Sequence, residues 1–124
     1  MTEIRVLDAG AARASVPALA AVLLDCVQGG SSVGFMASLT HESAREFFES
    51  VCGEVDTGRR LLLAAFDDGE LVGTVQVLLA TLPNAVHRGE LAKLLVRRSV
   101  RGRGIGEALT TRAEAEALDR KSVV

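Results

Sequence analysis

The sequence predicts an α/β (α+β) domain: a mixed, mostly antiparallel sheet with flanking helices. Three observations carry that reading. Two apolar runs, 61–66 and 71–79, flank the turn Asp67-Asp68-Gly69-Glu70, which is the pattern of a β-hairpin. Two earlier segments, 15–28 and 40–55, repeat apolar residues at three- and four-residue steps, as helices with one buried face do. A third strand-like run, 90–96, passes through RRSV and RGRGIG directly into EALTTRAEAEA, an alanine-rich helical pattern.

In chain order, Ile4-Arg5-Val6-Leu7 alternates as a short first strand ending at Asp8-Ala9-Gly10. Ser15 offers a helix N-cap with Pro17 in the first turn. Leu19, Val22, Leu23 and Cys26 then form an apolar stripe, which Gly29-Gly30 ends. Residues 29–34, GGSSVG, are too small and polar to pack and read as loop, with Phe35 and Met36 behind them. Thr40 caps a second helix with Glu42 in its first turn, and Ala44, Phe47, Phe48, Val51 and Val55 share its buried face. His41 falls at the exposed helix start. Gly73 inside the second hairpin strand points to a bulge or a close backbone approach. Pro83-Asn84 breaks the chain before the last strand. In that strand, strict alternation puts Glu90, Ala92, Leu94 and Val96 on one face and Leu91, Lys93 and Leu95 on the other. Both faces are apolar towards the end of the run, so that end is expected to be covered on both sides. In the final helix Ile105, Ala108, Leu109, Ala113 and Ala117 make the packing stripe, with Glu107, Glu114 and Glu116 left to face water.

Composition narrows the function. A chain of 124 residues fits one domain, spanning 1–124, and buries about two-thirds of its unfolded surface. Its 14 basic residues are outnumbered by 16 acidic ones, which argues against a nucleic-acid partner. No apolar run approaches the roughly 20 residues that cross a bilayer, and Met1-Thr-Glu does not begin a signal peptide. A cytoplasmic protein without a membrane partner is expected. Cys26 and Cys52 fall on apolar helix faces, where thiols act as small hydrophobes; neither a disulfide nor a metal site is expected.

The chemistry concentrates at 101–106. A helix start presents N–H groups without internal partners, and its dipole favours an anion. Gly102, Gly104 and Gly106 let a ligand approach the backbone, and Arg101 and Arg103 are expected to place positive charge on the same rim. Neither GxxxxGK[ST] nor GxGxxG fits this turn. What remains is Arg101-x-x-Gly104-x-Gly106 between strand and helix, which resembles the acyl-CoA signature [QR]xxGx[GA] of the GCN5-related N-acetyltransferase (GNAT) family. The charged turn followed by LVGTVQ also resembles the strand pair that precedes that family's cofactor strand.

The resemblance implies an acyl-CoA N-acyltransferase-like fold and transfer of an acetyl group from acetyl-CoA to a primary amine of a small molecule or peptide. It implies that the backbone of Leu94, Leu95 and Val96 pairs with the pantetheine arm and polarises the acetyl carbonyl. It also implies that N–H groups of Arg101, Gly102, Arg103, Gly104, Ile105 and Gly106 hold the pyrophosphate. A carboxylate on this strand often serves as base in the family, which nominates Glu90; His87 is the runner-up because an unperturbed imidazole titrates near neutrality. The loop after the first helix often borders the acceptor there. Two features depart from the family: the chain has no tyrosine to serve as general acid, and it stops at Ser122-Val123-Val124, where the fold would continue with another strand. A C-terminally truncated domain is therefore expected, with an open strand edge that favours a homo-oligomer. The alternative is a non-catalytic acyl-CoA- or phosphate-binding remnant.

Overall fold

The computed structural model describes residues 2–30, 39–81 and 87–120. The elements run β1 (Thr2–Leu7), α1 (Ala9–Gln28), α2 (His41–Asp56), β2 (Arg60–Asp67), β3 (Glu70–Thr81), β4 (His87–Val96) and α3 (Ile105–Asp119), with a short 3-10 turn at Arg98–Val100. The four strands form one sheet in the order β1-β2-β3-β4, every neighbouring pair antiparallel. Helices α1 and α2 cover one face over Leu62, Ala64, Leu71 and Leu95. Helix α3 covers the other, over Leu61, Leu63, Ala65, Val75 and Val77. Two covered faces explain why 61–66 is apolar without interruption.

The first helix differs from its sequence reading. Its N-cap is Asp8, whose Oδ1 accepts from the Ala11 N–H at 2.8 Å, so the helix begins at Ala9 and Ser15 and Pro17 lie inside it. A capping carboxylate directly after β1 satisfies a helix-start donor about two turns earlier than Ser15 could. This 20-residue helix is long and apolar enough by composition to cross a bilayer, contrary to the expectation from apolar runs, because its alanines count as apolar. Here Leu19, Leu23 and Cys26 are buried in the core. The second helix follows its reading: Thr40 Oγ1 accepts from Ser43 N–H at 3.1 Å, and Ala44, Phe48 and Val51 are buried. Both cysteines are buried and free. On α3 the expected stripe holds except at Ala108, which is exposed, and Glu116 pairs with Arg112 and Arg120 at 3.1 Å each. The expectations for Phe35, Met36, Pro83-Asn84, the end at 122–124 and all but the first two residues of GGSSVG lie outside the described residues.

The hairpin turns through Asp68 (φ 50°) and Gly69 (φ 84°), the paired positive angles of a type I′ turn. Gly73 serves both roles expected of it. The β2–β3 register shifts beside it, leaving Val72 as the extra residue of a bulge. A Cβ at Gly73 would also lie 3.1 Å from the Leu95 carbonyl oxygen and 3.2 Å from Leu109 Cδ1. The missing side chain is what lets α3 rest on the β3–β4 pair.

The second bulge matters more for the site. Thr74 pairs with Leu95 but Gln76 pairs with Ala92, so Lys93 and Leu94 together oppose Val75, with Lys93 at φ 53°. Side-chain parity switches there. Leu91 and Val96 both pack against the α3 layer, whereas Leu95 is buried in the α1–α2 layer. The alternation predicted for 90–96 is therefore corrected: Glu90 and Ala92 share a face with Leu95, and Leu94 shares one with Val96. Nor is the strand end fully covered, since Leu94 is 44% exposed.

The turn after β4 is tied to α1. Asp25 accepts from the Arg98 backbone N–H at 2.9 Å and from its guanidinium at 3.1 and 3.2 Å, and any side chain at Gly29 would collide with Arg98. These bonds, the Arg98 N–H first, hold the Asp25 carboxyl below its ordinary value. Its contribution to stability is thus present above the unfolded carboxylate range and lost as pH falls through the depressed folded value.

Two outcomes follow for stability. Gly73→Val should destabilise by about 1–3 kcal/mol through overpacking against Leu95 and Leu109, measured by urea unfolding. Asp25→Asn should cost about 0.5–1 kcal/mol at neutral pH, since the pair is partly exposed. The two unfolding curves should converge below about pH 4 as the parent's carboxylate protonates.

Candidate functional site

The motif residues come together at the start of α3. Gly104 is the N-cap with φ 78° and has no side chain to occupy the helix donors. The first helical bond runs from Ala108 N–H to Gly104 O at 3.0 Å, so the N–H groups of Ile105, Gly106 and Glu107 have no intrahelical acceptor. Gly102 also has φ above zero, at 85°. A pocket of about 370 Å³ opens there, lined by Leu94, Val96, Arg101, Gly102, Gly104 and Gly106 among others. A Cβ at Gly106 would sit 3.7 Å from Val96 and 3.8 Å from Leu94, so the glycine leaves open the gap between helix and strand. Unpaired donors at a helix start, a dipole of the right sign and a bare approach make this a cradle that fits an anionic ligand with an extended tail.

The arginines do something different from what the motif suggested. Arg101 turns back: its Nε donates to the Val96 carbonyl at 3.2 Å and its Nη2 lies 3.6 Å from Cys26 Sγ. Arg103 pairs with Asp67 in the β2–β3 turn at 3.2 Å. Both brace the loop, from opposite sides, while Arg101 still lines the pocket and Arg103 stays largely exposed.

Strand β4 forms the sheet edge among the described residues. Val96 lies opposite Gly73, and the next residue, Arg97, donates its N–H to Val72 O at 2.8 Å. In an antiparallel ladder this turns the Val96 N–H and C=O off the open edge. The carbonyl is taken by Arg101 and by Cys26 Sγ at 3.4 Å; the N–H remains directed outward. Leu95, by contrast, is paired with Thr74 inside the ladder. Of Leu95 and Val96, Val96 is thus the one that offers a donor at the edge.

Glu90 and His87 are both exposed, but strand alternation sets them on opposite faces: His87 falls with Leu91 towards α3, Glu90 with Ala92 towards α1 and α2. Only Glu90 lines a pocket on the α1–α2 side, of about 390 Å³, where it meets Glu54, Arg59, Arg60 and Arg88. The sequence reading missed these four residues and Gln76 behind them. Gln76 is fully buried and its Oε1 accepts from Arg60 Nη1; Arg60 Nη2 also pairs with Glu54 at 2.5 Å. A glutamine on the inward face of an otherwise apolar strand was the signal available. A larger groove of about 760 Å³ lies where α1 begins and α2 ends, with Asp8, Asp56 and Arg120 in its wall; no motif residue reaches it. Among the described residues no group of acidic, histidine and cysteine side chains could hold a metal ion.

Comparison with known proteins agrees with this geometry. A ribosomal-protein-alanine N-acetyltransferase from Brucella melitensis biovar Abortus 2308 superposes with a TM-score of 0.72 at 20% identity, over 98% of this chain and 75% of that one. The PaiA N-acetyltransferase of Thermoplasma acidophilum, solved in complex with coenzyme A, gives 0.71 at 21% identity, over 97% and 74%. A predicted acetyltransferase from Clostridium acetobutylicum, solved with acetyl-CoA, gives 0.69 at 16%, over 98% and 77%. At these identities the likeness speaks for the fold. Family membership rests on the sequence match: residues 21–123 fit the Acetyltransferase (GNAT) family, and the chain belongs to that family.

Proposed function

We propose that this chain transfers an acetyl group from acetyl-CoA to a primary amine of a small molecule or peptide. The observation that carries the reading is the αL N-cap at Gly104, which opens the first-turn N–H groups of α3 beside β4, the sheet edge among the described residues. In this assignment the backbone of 101–106 holds the pyrophosphate and the edge of 94–96 receives the pantetheine arm. Acetyl-CoA supplies the acyl group as an activated thioester. A backbone N–H of the 94–96 edge is the donor for a carbonyl oxygen gaining charge. Glu90, directly or through water, takes the proton that an ammonium must lose before its nitrogen can attack; the C–N bond forms as the C–S bond breaks and the thiolate departs. His87, on the other face, is assigned no part in that step.

Two further proposals accompany this one. A cytoplasmic setting is supported by the two free, buried cysteines. Self-association is supported by β4, whose edge carries the exposed Leu94.

Calorimetric titration with acetyl-CoA should give saturable binding that Gly104→Glu weakens by at least tenfold, because a carboxylate then occupies the anion site. Gly104→Asn, which tolerates positive φ, should retain most of the affinity and so separates charge from backbone strain. Absence of binding in the parent chain would refute the cradle; binding without turnover on any amine would leave a non-catalytic acyl-CoA binder. In steady-state assays Glu90→Gln should lower kcat by about 10²–10⁴-fold with the KM for acetyl-CoA unchanged, and His87→Gln should change kcat less than threefold, on the order of a rim residue's effect.

A further inference from the structure

The pocket around Glu90 carries more information than a general base needs. Its inner wall is Arg60, held by Glu54 at 2.5 Å and by Gln76, beside Leu78 and Ala80, while Leu79 packs into the α3 layer. Arg60 Nε and Gln76 Nε2 are buried donors without a partner among the described residues. Buried orphan donors are costly and mark places where water or a ligand oxygen belongs. Gln76 cannot be flipped to relieve its own, because its amide nitrogen would then face the Arg60 guanidinium.

Arg59 and Arg88 also line this pocket, and no ion-pair partner is found for either among the described residues. Segments 31–38 and 82–86 contain no Asp or Glu that could serve them. Arg59 is fixed at the backbone: its N–H donates to Glu54 O at 3.0 Å and its carbonyl accepts from Leu79 N–H at 2.9 Å. Arg88 and Glu90 stand two residues apart on one strand face, hence about 7 Å apart. Arg88 and Glu90 form no ion pair in the structure, unlike Arg5 and Glu3, which stand at the same spacing on β1 and pair at 2.8 Å; a short molecule with a cation at one end and an anion at the other spans the two.

We propose that this pocket is the acceptor subsite and selects primary amines that carry an anionic group a few carbons from the nitrogen. The inference rests on the acetyl-transfer reading above. Glu90 receives the ammonium and takes its proton, Arg59 and Arg88 hold the anion, and the Arg60–Glu54–Gln76 wall supplies donors to a ligand oxygen or a bridging water. The anion is a carboxylate or a phosphate; guanidinium groups bind either.

The test is kcat/KM for 4-aminobutyrate, O-phosphoethanolamine, n-butylamine and putrescine with acetyl-CoA. The anionic amines, or one of the two, should exceed n-butylamine by at least about tenfold, and putrescine should be the poorest; which anion wins identifies the group recognised. In the double variant Arg59→Gln/Arg88→Gln that ratio should collapse towards one through KM, with acetyl-CoA affinity as the check that the chain is folded. Equal use of n-butylamine, or a ratio that survives in the double variant, overturns the subsite while acetyl transfer stands. No turnover with any amine overturns both.

Discussion

The placing of both candidate pockets depends on one irregularity, the bulge at Lys93 and Leu94. Because two residues of β4 oppose the single Val75, side chains before and after the bulge exchange faces. Glu90 thereby looks towards α1 and α2, while Leu94 and Val96 look towards the start of α3. A regular strand would have put all three on one face and left the polar pocket and the cradle side by side. The bulge instead sets them on opposite faces of β4, the edge strand among the described residues; in the function proposed above, a long ligand along that edge would meet an acceptor arriving from across the sheet. Lys93 holds a left-handed conformation to achieve this, at a cost of roughly 1–2 kcal/mol for a non-glycine residue, and the register of β3 on either side holds it there.

The cradle is positioned by charge, and what it presents at the helix start is backbone. Arg98 ties the turn to Asp25 on α1, Arg101 ties it to the end of β4 and to Cys26, and Arg103 ties it to Asp67 in the hairpin turn. Each bond is modest alone, as partly exposed pairs are. Together they approach the loop from three elements and fix the direction of the helix-start N–H groups. Preorganised dipoles need no rearrangement when an anion arrives, whereas a mobile guanidinium would have to give up side-chain freedom.

On the opposite face, the sheet buries polar groups that an apolar core would exclude. Thr74 and Gln76 are fully buried. Thr74 is satisfied through Leu63 O at 2.7 Å, whereas Gln76 and Arg60 are satisfied only in part. A half-paired network weakens a fold unless something else completes it. Two of the three buried donors left without a partner among the described residues lie next to Glu90, the third being Arg97 Nε, which ties most of the cost to the pocket.

What the residues alone determined is the local part of this protein. The Asp68-Gly69 turn, the Thr40 cap, the faces of α2 and the strand–glycine turn–helix sequence are all set by contacts within a few residues, so period and turn chemistry reveal them. The cradle was legible for the same reason: positive φ at Gly104 and a helix start are properties of adjacent positions. Tertiary structure decided what depends on distant partners. The parity of β4 was misread because a bulge is defined by the strand across from it; Asp8 prevailed over Ser15 as a cap because β1 delivers the chain there. The arginines turned to Asp25, Val96 and Asp67, none of which stands beside them in sequence. The polar pocket joins residues 54, 59, 60, 76, 88 and 90 from four elements, and no spacing rule could have assembled it.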